Sequence, residues 1–187
     1  MGTIVKTKKS VIVVSGPPGS GSTSVAKELA KRLHLRLMVL GKLHKGLVKE
    51  KRESIAALQS WSTKKGISKK THVDRDRMQV REAKKGNVVI CGKLSVHFLK
   101  DLSEYKIWLD VPLEERARRS AKRDRITVKD AMKQIRKRQN IERKEWKRIY
   151  GFDYFYQKRI ADFVIGSSGM TLEKTVRSIT DFIKSRR

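Results

Sequence analysis

Residues 11–33 read VIVVSGPPGSGSTSVAKELAKRL, and this stretch admits few folds. Val11–Val14 is an unbroken apolar run of the kind found in a strand covered on both faces. Gly16-Pro17-Pro18-Gly19-Ser20-Gly21 breaks any regular element, and an amphipathic helix starts near Ser22 and runs to about residue 34. Strand, glycine-rich loop and helix in that order form a phosphate-binding loop, in which backbone N–H groups and a helix N-terminus wrap an anion. Here the N–H groups of residues 19–23 would do so. The full pattern is G-x-x-x-x-G-K-[ST]. Gly16, Gly19, Ser20, Gly21, Ser22 and Thr23 are therefore the candidate nucleotide-binding residues, with Ser22 standing where the pattern has lysine.

The remaining pattern alternates short apolar runs with helical stretches. Strands are expected at 35–39, 87–91, 105–109 and 161–165. Residues 42–85 read as mostly helical with an interruption at 64–66, and 113–149 as two helices with a break near 124–127. The last helix, 171–184, has Thr171 as its N-cap and Glu173 just inside. Strands separated by helices predict an α/β fold: a five-stranded parallel sheet with helices on both faces. The 187 residues fit a single domain, 1–187, carrying two helical inserts at 42–85 and 113–150.

Charge is the unusual feature. Lys and Arg number 46 against 19 Asp and Glu, giving +27. Such an imbalance opposes compaction and favours a polyanionic partner, of which RNA is the commonest. Trp61, Trp146 and Tyr150 lie in the basic inserts and could stack on exposed bases; packing is the other role open to them. The single Cys91 excludes a disulfide framework, and the four histidines lack i, i+4 ligand spacing. With no 18-residue apolar run, the chain is expected to be cytoplasmic, off the membrane, and monomeric outside any assembly.

The ordered pieces GPPGSGSTS, LGKLHK, VDRDRMQVREAKKGNVVICGKLSVHFL, KIWLDVP and the arginine-rich segment 116–153 resemble the archaeal cytidylate kinases from Val11 to about Ser168. The resemblance implies a nucleoside monophosphate kinase fold, in which 42–85 binds the acceptor and 113–150 forms a lid. It implies ATP and Mg²⁺ as cofactors. Thr23 would touch the metal, and Asp110 would back it without ligating it directly. Arg119, Arg123, Arg138 and Arg143 match lid positions that clamp the transferring phosphoryl group, a task suited to planar, bidentate arginine. Lys45, Asp74, Arg75, Arg77 and Lys93 match acceptor-site positions. Lys45 and Lys93 replace family arginines there, Leu40 replaces an alanine, and Cys91 replaces a glutamate.

Two readings follow. The charge and the altered acceptor site favour a kinase fold recruited to RNA, as a ribosomal or ribosome-associated component, with ribosomal RNA and ribosomal proteins as partners. The alternative is a working (d)CMP kinase converting ATP and CMP to ADP and CDP.

Overall fold

A computed structural model describes residues 9–45, 48–50 and 52–186, with the side chains of 43–45 outside that description. Strand β1 (Val11–Ser15) lies at the centre of the sheet, and every one of its residues is buried. It is followed by α1 (Ser22–Arg32), β2 (Arg36–Val39), α2 (Leu40–Lys45), α3 (Glu53–Trp61), α4 (Lys69–Lys85) and β3 (Val88–Cys91). Then come α5 (Ser95–Phe98), β4 (Tyr105–Leu109), α6 (Leu113–Asp124), α7 (Val128–Tyr150), a 3₁₀ turn (Tyr154–Arg159), β5 (Phe163–Ile165) and α8 (Leu172–Ser185).

The five strands are all parallel, in the order β2-β3-β1-β4-β5. Parallel strands must be covered on both faces, which the alternation of side chains along β1 makes visible. Ile12 and Val14 pack with Val25, Leu29, Val176, Ile179 and Ile183 of α1 and α8. Val11 and Val13 face the other way, onto Ile90, Val96, Leu99 and Ala83. Helices thus cover both faces, as the periodicity required.

Element ends follow local chemistry. The break between α6 and α7 falls where Arg125 takes a left-handed φ of 55° and Thr127 caps α7, its hydroxyl accepting from Asp130 N at 3.1 Å. Thr171 caps α8 through Lys174 N at 3.1 Å. The strand expected at 35–39 is β2, and α2 begins directly after it, with Gly41 in its first turn.

The tryptophans are packing residues. Trp61 of α3, Trp108 of β4 and Trp146 of α7 are all buried, with Leu94 and Tyr154, in one cluster. Trp61 meets Trp146 edge-on at 5.6 Å, and Trp146 meets Tyr154 at 5.0 Å. Base stacking by Trp61 and Trp146 is ruled out by this burial, and the Tyr150 hydroxyl is engaged by Asp76. The cluster fastens both inserts to the sheet. No described helix is long and apolar enough to cross a membrane.

Candidate active site

The loop after β1 closes on itself through Ser20 N donating to the Pro17 carbonyl at 3.1 Å. Gly19 and Gly21 take left-handed φ values of 81° and 88°. A Cβ at Gly16 would fall 2.7 Å from Ser20 Oγ and 2.8 Å from the Leu109 carbonyl, so only glycine fits there. No side chain caps α1, which leaves its first-turn N–H groups for an anion.

The loop forms one wall of a cleft of about 500 Å³, lined also by Gly92, Lys93, Arg119, Arg123, Arg138 and Ser167. A smaller annex of about 80 Å³ opens beyond Lys93 and Arg138, between Trp61, Arg75, Asp76, Gln79 and Tyr150. The cleft stands at the carboxyl ends of β1 and β3, where ligands bind in such sheets.

Several arginines hold the walls. Arg119 donates to the Ser20 carbonyl at 3.2 Å and to Ser167, with Glu115 on its Nε at 2.9 Å. Arg116, which the sequence did not single out, is buried and donates to the Pro18 carbonyl at 3.0 Å and to the Val111 carbonyl at 2.9 Å. Arg138 pairs through Nε with Glu142 at 2.7 Å, and the Glu142 side chain is only 2% exposed. Arg123 clasps Asp124 at 2.7 Å and donates to Ser54 Oγ at 2.8 Å, joining α6 to α3. Burial pushes the Asp124 carboxyl up, but Arg123 and Ser54 outweigh it and hold the pKa down at about 2. The two inserts are thereby latched to one another.

Lys93, at the turn after β3, donates from Nζ to the Gly16 carbonyl. Loss of hydration lowers its pKa to about 7; Glu142 opposes that shift, while Arg138 and Arg116 add to it. In the annex, Asp76 accepts from the Tyr150 hydroxyl and from Gln79 Nε2 at 2.9 Å. Burial raises the Asp76 carboxyl to about 6 against these bonds and Arg75. His72 stacks on Trp61 at 5.1 Å and bonds the Gly66 carbonyl, and burial lowers its pKa.

The structure brings together Gly19, Ser20, Gly21, Ser22, Thr23, Lys93, Arg119, Arg123 and Arg138 around the cleft, and Arg75 in the annex. It leaves others outside. Asp110 is half exposed and pairs with Lys158 at 2.7 Å, away from the cleft. Arg143 is tied to Asp153 and lies 5.5 Å over the Phe155 ring. Asp74 and Arg77 pair with each other at 3.8 Å on the exposed side of α4. Lys45 ends α2, and its side chain lies outside the described residues. Asp76 and Gln79 were missed, although His72, Asp76, Gln79 and Ala83 recur at i, i+4, i+7 and i+11. That phase marks the inner face of α4, whose buried residues are His72, Gln79 and Ala83.

The residues fit ATP and its magnesium ion. The loop is a cradle that a Cβ would fill, Ser20 Oγ is buried there with no hydrogen-bond partner, and the Thr23 hydroxyl faces the same cleft. Among the described residues no three His, Cys, Asp or Glu side chains gather to bind a metal, so the phosphates themselves would supply most of the ion's ligands.

The sequence model of the cytidylate kinase-like family matches residues 11–169. A cytidylate kinase of Ignicoccus hospitalis is 36% identical over 169 residues, covering 90% of this chain and 96% of that one. A cytidylate kinase of Pyrococcus horikoshii is 37% identical over 162 residues, covering 86% of this chain and 81% of that one. Among solved structures, the shikimate kinase of Acinetobacter baumannii in complex with shikimate superposes with a TM-score of 0.63 at 18% identity. That match spans 95% of this chain and 94% of that one, and carries the fold alone.

Proposed function

The chain belongs to the cytidylate kinase-like family, and from that premise we propose that it transfers the γ-phosphoryl group of ATP to CMP or dCMP in the cytoplasm. The observation that carries this reading is the meeting of two compartments at Lys93 and Arg138. One is a phosphate cradle and the other a smaller annex that carries Arg75, Asp76 and Gln79 on its wall. Phosphoryl transfer needs little covalent chemistry from the protein. It needs positioning and cations around the moving charge.

The N–H groups of residues 19–23 and the start of α1 bind the donor phosphates. Thr23 would hold a magnesium ion, which when bound neutralises charge on those phosphates. Arg119 fixes the loop in shape through the Ser20 carbonyl. Arg138 stands at the junction, where the donor and acceptor phosphates must meet. In the annex, Arg75 and Gln79 offer donors, and Asp76 offers an acceptor for an exocyclic amino group. The latch between Arg123, Asp124 and Ser54 ties α6 to α3 at the edge of the cleft. A coupled assay with CMP should show turnover of about 1–100 s⁻¹. No turnover with any nucleoside monophosphate would overturn the reading.

The relatives named above are cytidylate kinases, so the order set by the charge and the altered acceptor site is reversed. One observation still favours an RNA partner as a second role. On α7, Lys129, Lys133, Arg136, Asn140, Lys144 and Lys147 recur at intervals of three and four, and all are exposed. They form one stripe about 27 Å long, with Lys137 beside it. Asp130, Glu142 and Glu145 fall on other faces of the helix. Its C-terminal end reaches the 64–70 segment, where Arg148 donates to the Ile67 carbonyl at 3.1 Å. A single-stranded RNA laid along this stripe should bind with a log–log salt slope near −4, about −0.7 per phosphate neutralised. Replacing Lys129, Lys133 and Lys144 by glutamate should flatten that slope and leave CMP turnover unchanged. A fluorescent 20-nucleotide RNA showing no anisotropy change at 50 mM salt excludes the role.

A further inference from the structure

The loop lacks its lysine, yet the cleft does not lack a cation at that loop. Ser22 is uncharged and short, and it opens α1 on one side of the cradle. Across from it, Lys93 places its ammonium on the carbonyl of Gly16, the residue that opens the loop. The sheet order brings them together. β3 pairs directly with β1, so the turns leaving the two strands lie side by side. That turn is firmly mounted: Ser15 Oγ donates to the Gly92 carbonyl, and Gln157 Nε2 donates to the Lys93 carbonyl at 2.8 Å.

The other cations of the cleft each have a carboxylate partner. Arg119 serves Glu115, Ser20 and Ser167; Arg123 serves Asp124, Glu53 and Ser54; Arg138 is partly held by Glu142. Lys93 makes no ion pair among the described residues and has only a neutral carbonyl to leave. From this geometry we infer that Lys93 is the phosphate-loop cation of this protein, supplied from the turn after β3 in place of Ser22 and directed at the donor nucleotide's phosphates.

The resemblance assigned position 93 to the acceptor phosphate, so the two roles predict opposite binding defects. The inference rests on the phosphoryl-transfer reading only in that the donor is ATP. Burial suits the role. An ammonium already stripped of water gives up little hydration on meeting phosphate, and phosphate drives its protonation. The groups facing it are Glu142 and Arg138 of α7, Arg116 of α6 and Cys91 of β3.

The test is calorimetric binding of a magnesium-loaded, non-hydrolysable ATP analogue with no acceptor present, and of CMP alone. Lys93→Met should weaken the analogue by about 10- to 100-fold, as expected for loss of one charged hydrogen bond, and change CMP affinity little. Lys93→Gln, which keeps a donor for the Gly16 carbonyl, should show the same loss and guards against a folding defect. Adding Ser22→Lys to either variant should restore most of the analogue's affinity. Unchanged analogue binding with weakened CMP binding would assign Lys93 to the acceptor and overturn the inference; so would failure of Ser22→Lys to rescue. Absence of CMP turnover in a wild type that binds the analogue through Lys93 would defeat the proposed reaction and leave this assignment standing.

Discussion

Arg138→Met is expected to lower kcat for CMP phosphorylation by about 10³-fold, with a much smaller change in KM. Arg138 lines both compartments, and Glu142 uses its Nε, 2.7 Å away. The terminal amino groups make no hydrogen bond among the described residues, which leaves the fork for the phosphates. Charge there grows only as the phosphoryl group moves, so the loss falls on kcat. The same substitution strands Glu142, which is 1% exposed, without its cation. An unpaired buried carboxylate costs about 3–5 kcal/mol or takes up a proton. Glu142→Gln in the Arg138→Met background therefore separates the two effects. Urea titration should show stability recovered, and the steady-state assay should show turnover still absent. Turnover within threefold of wild type in Arg138→Met would remove Arg138 from the reacting centre.

Trp108→Ala should cost about 3–5 kcal/mol of unfolding free energy, the range for deleting a fully buried aromatic ring. Trp108 is 0% exposed on β4, with Tyr154 at 6.4 Å and Phe155 at 6.2 Å. It is the sheet's contribution to the cluster that also holds Trp61 from one insert and Trp146 from the other. Its indole N–H has no hydrogen-bond partner, so its value lies in packing, and alanine leaves a cavity the surrounding rings cannot all fill. Denaturant unfolding measures the loss directly. A cost below about 1 kcal/mol would mean the cluster collapses freely around the gap.

The sheet was legible because parallel strands carry unbroken apolar runs, and VIVVS, NVVIC and KIWL stand out from a highly charged background. The break between α6 and α7 was legible because Thr127 carries its capping chemistry locally. The cleft was legible only where a residue's position along the chain fixes where its side chain points, as in Gly16–Thr23. Asp110 sits at a strand end that faces the cleft, yet Lys158, 48 residues on, draws its carboxylate outward. Asp153 does the same to Arg143. Surface charges choose partners through space, and in a chain with +27 net charge each of the few carboxylates is contested. On α4 the error was one of phase. Asp74 and Arg77 face solvent, whereas Arg75, Asp76 and Gln79 line the annex, a difference of about 100° per residue around the helix axis. Lys93 was visible as a departure from the family pattern, but its reach to Gly16 depends on β3 lying beside β1, which only the sheet order discloses.

The central place of β1 has a consequence for the lifetime of the site. β1 is hydrogen-bonded on both edges, to β3 and β4, and is buried throughout, so no local opening frees its amides. Solvent deuterium is expected to reach Ile12–Ser15 only when the whole domain unfolds. The outer helices, held at fewer points, exchange through smaller excursions. The phosphate cradle thus hangs from the strand expected to exchange most slowly.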